Sequence, residues 1–291
     1  MLLINAYVQP LMARYLSELE IQLKNIGADC PLFLMMSSGG ITTLETGIKF
    51  PIRLLDSGPA GGAILAQDIA AVCGEENALS FDMGGATAKI CLIDEGVAQT
   101  SRGFEVARAY RHSRGSGLPI RIPAVEMVEI GAGGGSIATI DNMQRINVGP
   151  ESAGADPGPA AYGFGDEPTV TDANVVLGYL NPDYLVGGEL KIDSELSHSI
   201  LSHVVATPLG IDLVEAAHGA HEIAAANMIR AVKAVSSERG RDPRSYAMVA
   251  FGGNGPLFAA TMAKVLGMKR ILIPPSPGVF SALGLLSAAV E

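Results

Sequence analysis

The chain has 291 residues, 48% of them hydrophobic and 17% charged, with three cysteines. That balance excludes a disordered chain, a collagen-like repeat and a disulfide-stapled mini-domain, and predicts one or two compact units. Twenty basic against 30 acidic residues leave a net charge of −10, a field that repels nucleic acid and anionic membrane surfaces.

The first predicted element is a helix. Val8, Leu11, Met12, Tyr15, Leu16, Leu19, Leu23 and Ile26 recur at intervals of three and four, and Gly27 stops the pattern. Leu32 to Met36 reads as a buried strand, followed by the turn Ser37-Ser38-Gly39-Gly40. Ser57-Gly58-Pro59 reads as a helix start with Ser57 as N-cap, and that helix runs to about Gly74. Ala78 to Asp82, Thr87 to Asp94 and Val97 to Ser101 form a β-meander joined at Gly84-Gly85 and Glu95-Gly96. Cys30, Cys73 and Cys91 have neither disulfide nor metal spacing and are read as buried thiols of a reducing cytoplasm.

The middle third is glycine-rich. Gly131, Gly133, Gly134 and Gly135 share one loop, and Gly149 to Pro168 holds nine Gly or Pro in twenty residues, read as a long loop. Helices follow at Thr171 to Leu180 and from Leu213 to about Arg239, the second with Asp212 and Glu215 in capping-box spacing. Ala247 to Phe251 is a strand, then come Gly252-Gly253-Asn254-Gly255-Pro256, a helix to Leu266, a strand Arg270 to Pro274 and a closing apolar helix from Pro277 towards Val290. The order is α/β, with strands feeding ligand-facing turns. Both ends read as cut. There is no cationic leader, and no stretch reaches about 18 uninterrupted apolar residues, so the chain is expected to be cytoplasmic, with no membrane partner.

Two turns carry the chemistry. In Phe81-Asp82-Met83-Gly84-Gly85-Ala86-Thr87-Ala88-Lys89 a carboxylate ends an apolar strand, where it can hold a hydrated cation, and two glycines let backbone N–H groups approach phosphate oxygens. A hairpin turn needing positive φ is the plainer alternative. Gly252 to Gly255 lies at a second strand-to-helix junction, where a helix N-terminus offers N–H donors. No Walker loop occurs. The Gly131 to Ser136 loop offers an anion cradle or close backbone packing. Glu126 and Glu129 are acid, base or metal-water contacts or exposed strand carboxylates. Asp156 and Asp172 are cleft candidates, with capping the favoured role for Asp172. His218 and His221, three apart on one helix, have no evident third metal ligand. Arg102, Arg108, Arg111, Arg114 and Arg121 form a basic stretch without the aromatic interleaving of a nucleic-acid surface.

These motifs, with Leu55 to Gly62, Val128 to Ala138, Val148 to Gly163 and Pro168 to Asn174, resemble the hydantoinase A and 5-oxoprolinase family over essentially the whole chain. The resemblance implies an actin-like ATPase (ribonuclease H-like) fold, with residues 1–56 the end of a first domain and linking region. Residues 57–291 would form a second nucleotide-binding domain with an insertion at about 110–210. It implies ATP and Mg²⁺ as cofactors and the ATP-dependent opening of a cyclic amide, a hydantoin or 5-oxoproline, through carbonyl phosphorylation. A carboxylase β-subunit-like component and a non-catalytic nucleotide-binding scaffold are the alternatives. Catalysis would fall to Asp82, also the metal ligand, and Glu129. Nucleotide would be bound by Gly84, Gly85, Thr87, Lys89, Gly252, Gly253, Asn254 and Gly255. Gly133, Gly134, Gly135, Ser136 and Asp156 would line the cleft. A hydantoinase B-like second subunit is the implied partner, and a homo-oligomer is left open. Two positions depart from the family pattern: Ala86 replaces the usual Thr, and Glu126-Met127-Val128-Glu129 stands where some relatives have Asp-x-His. The family's first phosphate motif, Asp-Gly-Gly-Thr, does not occur, so the chain alone is expected to be inactive.

Overall fold

The computed structural model describes residues 2–106, 117–185 and 188–290. Arg108, Arg111 and Arg114 of the basic stretch lie outside the described residues. The chain divides into two compact units.

One unit comprises residues 79–90 and 128–278. Its sheet runs in the spatial order Val128–Ile130, Ala88–Asp94, Ala78–Met83, Ala247–Phe251, Ile271–Leu272. The two central strands are buried at nearly every position, as a strand covered on both faces must be, which is why they read as unbroken apolar runs. Ala247–Phe251 and Ile271–Leu272 are parallel and joined through the helix Gly255–Leu266, whereas Val128–Ile130 lies antiparallel to Ala88–Asp94 with Glu129 opposite Lys89. The expectation of an α/β fold therefore holds.

Helix Leu213–Glu238 buries a stripe containing Ala216, Ala217, Ala220, Ala224 and Ala225, small residues that allow close approach to helices Val170–Val176 and Gly255–Leu266. Asp212 caps it through the Val214 N–H, 2.8 Å, with no reciprocal bond from Glu215. The reciprocal box occurs at Thr169 and Asp172 instead. The loop expected from Gly149 begins later, because Ile146–Ser152 pairs with Ser136–Ile140 and carries Gly149 and Pro150 inside a strand. The helix expected to reach Leu180 ends at Val176, where Gly178 takes φ +71°. Ser194–Leu201, capped by Asp193, is a helix that the sequence reading does not contain.

The other unit comprises residues 2–78, 91–127 and 279–290 among those described. Its first helix, Leu2–Asn25, ends at Gly27 with φ +89°. Within the chain it fully buries only Leu16, while Leu11 and Tyr15 remain exposed. Phe33–Met35 and Ile41–Thr43 form a hairpin. Helix Ser57–Val72 begins one residue earlier than expected: Asp56, in the left-handed region, is the N-cap and Ser57 is already helical. Glu95 and Gly96 both have positive φ, the conformation that closes a two-residue hairpin.

Two expectations are only partly met here. The closing apolar helix stops at Leu286, short of Val290, and is a 3₁₀-helix at both ends, Pro277–Val279 and Gly284–Leu286, around the α-helical Phe280–Leu283. Glycines 278 and 284 weaken it, and its end is drawn out by Ile41, whose N–H donates to Ala289 O at 2.8 Å. Of the three thiols only Cys91 is buried. Cys73 is the exposed cap at the end of its helix and Cys30 follows the Gly27 stop.

Candidate functional site

Three glycine turns meet at one end of the sheet in the unit of residues 79–90 and 128–278. Gly84 to Thr87 follows the strand Ala78–Met83, Gly252 to Asn254 follows Ala247–Phe251, and Gly131 to Gly135 follows Val128–Ile130. Gly252 has φ +81°, and a Cβ there would stand 2.5 Å from both Asp82 Oδ1 and Met83 O. No other residue type fits without moving backbone. The Asp82 and Gly252 turns, 170 residues apart in sequence, are thus in contact.

The hydrogen bonds show how these turns divide the work. Asn254 N–H donates to Met83 O at 2.9 Å, Gly134 N–H to Gly84 O at 3.0 Å, and Gly135 N–H to Gly85 O at 2.7 Å. Gly133 N–H donates to the buried Ser136 Oγ at 3.0 Å. The Gly133–Gly135 donors are all spent inside the protein, so the loop is a support for the Gly84–Gly85 turn and not the anion cradle its composition suggested. A Cβ on Gly133 would collide with Gly85 O, which explains the glycine. Thr171, absent from the sequence-level site, anchors the support in turn: its N–H donates to Gly134 O at 2.7 Å.

The donors left over are on the other side of the same peptides. In a trans peptide the C=O of one residue and the N–H of the next point in opposite directions. With Gly84 O and Gly85 O held by the supporting loop, the N–H groups of Gly85 and Ala86 face away from it. Among the described residues these two and the Gly253 N–H have no protein acceptor, and all three residues are exposed. A Cβ at Gly85 or Gly253 would meet nothing within 4 Å, so the approach is open. Helix Gly255–Leu266 begins beside them and adds its N-terminal partial charge.

Asp82 is half-buried at the penultimate position of its strand. Thr87 lies just before the next strand, its carbonyl accepting from Gly84 N–H at 3.0 Å. Lys89 and Glu129, opposite each other on neighbouring strands, form an ion pair at 3.4 Å, with Glu129 the more exposed partner. Asp156 sits in an exposed turn tied to Gly135 through Ala153 N–H, 2.9 Å.

The Hydantoinase/oxoprolinase profile matches residues 1–291. The chain belongs to the hydantoinase/oxoprolinase family. It is 35% identical over 289 residues to the caprolactamase subunit alpha of Pseudomonas jessenii, covering 99% of this chain and 40% of that protein. To 5-oxoprolinase of Saccharomyces cerevisiae it is 32% identical, covering 98% and 22%. The nucleotide-free structure of acetone carboxylase superposes with a TM-score of 0.83 at 30% identity, covering 95% of this chain and 38% of that one. The ATP-dependent caprolactamase of Pseudomonas jessenii gives 0.78 at 34%, covering 97% and 40%. The chain spans about two fifths of the length of the first of these relatives.

Other titratable groups of this hydantoinase/oxoprolinase chain are structural. Asp172, fully buried, accepts from Ala160 N–H (3.3 Å), Ala161 N–H (2.8 Å), Thr169 N–H (2.9 Å), Thr169 Oγ1 (2.7 Å) and Ser197 Oγ (2.8 Å). It fastens helix Val170–Val176 and faces no open space, which decides for capping over a cleft role. His221 is buried, stacked on Phe258 at 4.2 Å, with Nδ1 at 2.8 Å from Asn174 Oδ1. Burial pushes its imidazole below the ordinary value. His218 is exposed beside Glu222, and the described residues contain no cluster of three metal-ligating side chains.

Proposed function

We propose that this chain is the ATP-using part of a cytoplasmic enzyme that opens a cyclic amide. The observation that carries the reading is the set of outward N–H groups of Gly85, Ala86 and Gly253 beside a helix N-terminus, a donor array that suits phosphate oxygens. Open space at Gly85 and Gly253 fits close approach by a phosphate. Asp82 at the strand end would hold Mg²⁺, with phosphates and water completing its shell. Lys89 and Glu129 supply a cation and a carboxylate at the sheet edge, as phosphate contact and acid or base respectively. Glycines 252 and 255 would shape the nucleotide side, and Asp156 the outer rim of the cleft.

An amide carbonyl is a poor electrophile. Transfer of the ATP γ-phosphoryl group to the amide oxygen would make the carbonyl carbon electrophilic. Water adds there, the ring C–N bond breaks with the nitrogen leaving protonated as an amine, and hydrolysis of the remaining acyl phosphate releases phosphate, so that one ring opens for each ATP converted to ADP and phosphate. The chain's residues position and neutralise the phosphates; they need no nucleophilic Ser or Cys. The names of its relatives, caprolactamase and 5-oxoprolinase, favour a lactam or similar ring. The similarity to acetone carboxylase supports a second reading in which the same phosphoryl activation serves a ketone or bicarbonate. Two of the relatives, those of caprolactamase and acetone carboxylase, are named as subunits, which supports a partner subunit, in this reading a hydantoinase B-like one. The relatives' remaining length would complete the site, so the 291-residue chain alone should be inactive.

The test is ADP release by the chain with and without its neighbouring subunits, against a panel of lactams and hydantoins and, separately, a ketone with bicarbonate. Release dependent on a cyclic amide supports the first reading, and dependence on ketone and bicarbonate supports the second. Calorimetry that finds no Mg-ATP binding by any of these preparations overturns both. Turnover by the chain alone overturns its assignment as inactive.

A further inference from the structure

The residue between the glycines of the Gly252–Gly255 turn carries more than a turn requires. Asn254 occupies the N-cap position of helix Gly255–Leu266, yet its side chain makes no capping bond. Asparagine is favoured at N-caps because its side-chain oxygen accepts from the first-turn N–H groups. Here Nδ2 donates away from the helix to Gly84 O at 3.3 Å, while the Asn254 N–H donates to Met83 O at 2.9 Å. One residue therefore holds two successive carbonyls of the Asp82 turn. The orientation of the amide follows from chemistry: turned over, it would set its oxygen against the Gly84 oxygen. The Gly84 carbonyl takes a second bond from Gly134 N–H at 3.0 Å, and the amide nitrogen lies so near Gly134 that a Cβ there would stand 2.5 Å from it.

We propose that Asn254 is a positioning residue that presets the Gly85 N–H for phosphate by fixing the Gly84–Gly85 peptide from behind. Two donors on Gly84 O define the plane of that peptide, and trans geometry then aims the Gly85 N–H outward before any ligand arrives. The first turn of the helix adds little to that array, since Pro256 has no N–H and the Leu257 N–H donates to Asn254 O at 3.1 Å. A glycine-rich turn left to itself samples many orientations of its peptide planes. The clamp removes that freedom from the folded protein, which is preorganisation of a donor array.

The inference rests on the nucleotide reading above, and the experiment separates the two. The chain is labelled with ¹⁵N, and the Gly85 and Ala86 amides are followed in the wild type and in Asn254→Ala without nucleotide; Mg-ATP binding is then measured by calorimetry. Expected are a shifted Gly85 amide with a lower order parameter in the variant, unchanged far-UV circular dichroism, and binding weakened about tenfold, the size of one lost hydrogen bond to a polar acceptor. Asn254→Asp, which keeps the shape but has no donor for Gly84 O, should weaken binding at least as much. Should Asn254→Ala lose its fold, Asn254→Ser carries the same comparison. Wild-type binding matched by the variants, with the Gly85 amide unmoved, overturns the role of Asn254 and leaves the nucleotide reading standing. A wild type that binds no Mg-ATP, alone or with its partner subunits, overturns the nucleotide reading and the positioning role with it.

Discussion

Replacing Asp172 with alanine should cost the protein more stability than any substitution in the glycine turns, although Asp172 touches no ligand. Its two carboxylate oxygens accept five hydrogen bonds, three of them from backbone N–H groups of Ala160, Ala161 and Thr169. The hydroxyls of Thr169 and Ser197 can rotate to other acceptors; the backbone donors cannot. Each buried donor left unpaired costs about 1–3 kcal/mol, so the three set a loss of at least about 3 kcal/mol. Asp172→Asn keeps the volume and one oxygen, and its amide nitrogen must face at least one of those N–H groups, so about 2 kcal/mol is expected. Ser197→Ala removes one donor and should cost about 1 kcal/mol. With no tryptophan in the chain, urea unfolding followed by far-UV circular dichroism is the assay. In thermal scans each kcal/mol corresponds to roughly 2–4 °C for a unit of this size. An Asp172→Ala midpoint within about 1 kcal/mol of wild type, or a reversed order of the three variants, refutes the account of Asp172 as a buried fastening.

Gly252→Ala combines a left-handed backbone, about 1–2 kcal/mol for a non-glycine residue, with a Cβ 2.5 Å from Met83 O, and should destabilise by at least about 2 kcal/mol; Gly253→Ala, with open space around it, should stay within about 0.5 kcal/mol. Burial holds the His221 imidazole below the unfolded value of about 6.5, so the unfolded chain gains a proton first and stability falls as pH drops through that value, by at most about 1.4 kcal/mol per unit; urea midpoints of His221→Phe should be lower at pH 8 but flatter between pH 7 and 5.5. A thiol reagent should label Cys30 and Cys73 in the native chain and Cys91 only after denaturation, since burial pushes the Cys91 thiol up to about 12.

Elements whose patterns are local were legible in the sequence. The strands Ala78–Met83 and Ala247–Phe251 are apolar runs closed by glycine, and the long helix Leu213–Glu238 shows a clean periodic stripe with Asp212 at its start. Misreadings arose where a distant partner overrides the local signal. Gly149 and Pro150 look like loop residues, yet the facing strand Ser136–Ile140 recruits them into a ladder. The apolar run after Pro277 looks helical, yet pairing at Ile41 pulls its end out of a helix. Ser194–Leu201 was invisible because its short sequence carries only three apolar residues, Leu196, Ile200 and Leu201, and its burial depends on Ser197 reaching Asp172.

The candidate site divides in the same way, and for a reason that composition cannot express. Gly84-Gly85, Gly133-Gly134-Gly135 and Gly252-Gly253 are equally able to present N–H groups, so their sequences nominate all three as phosphate contacts. What separates them is which side of each peptide meets an internal partner. The Gly84 and Gly85 carbonyls are met, so the N–H groups of Gly85 and Ala86 are released outward; the N–H groups of Gly133, Gly134 and Gly135 are met, so that loop has nothing left to offer. The same logic bears on Ala86, where the family pattern has Thr. Among the described residues the Ala86 backbone N–H has no protein acceptor, and a backbone donor does not depend on the side chain. At the proposed phosphate site, loss of the hydroxyl would therefore take away a side-chain contact and leave the peptide donors in place, so Ala86 would tune that site without dismantling it.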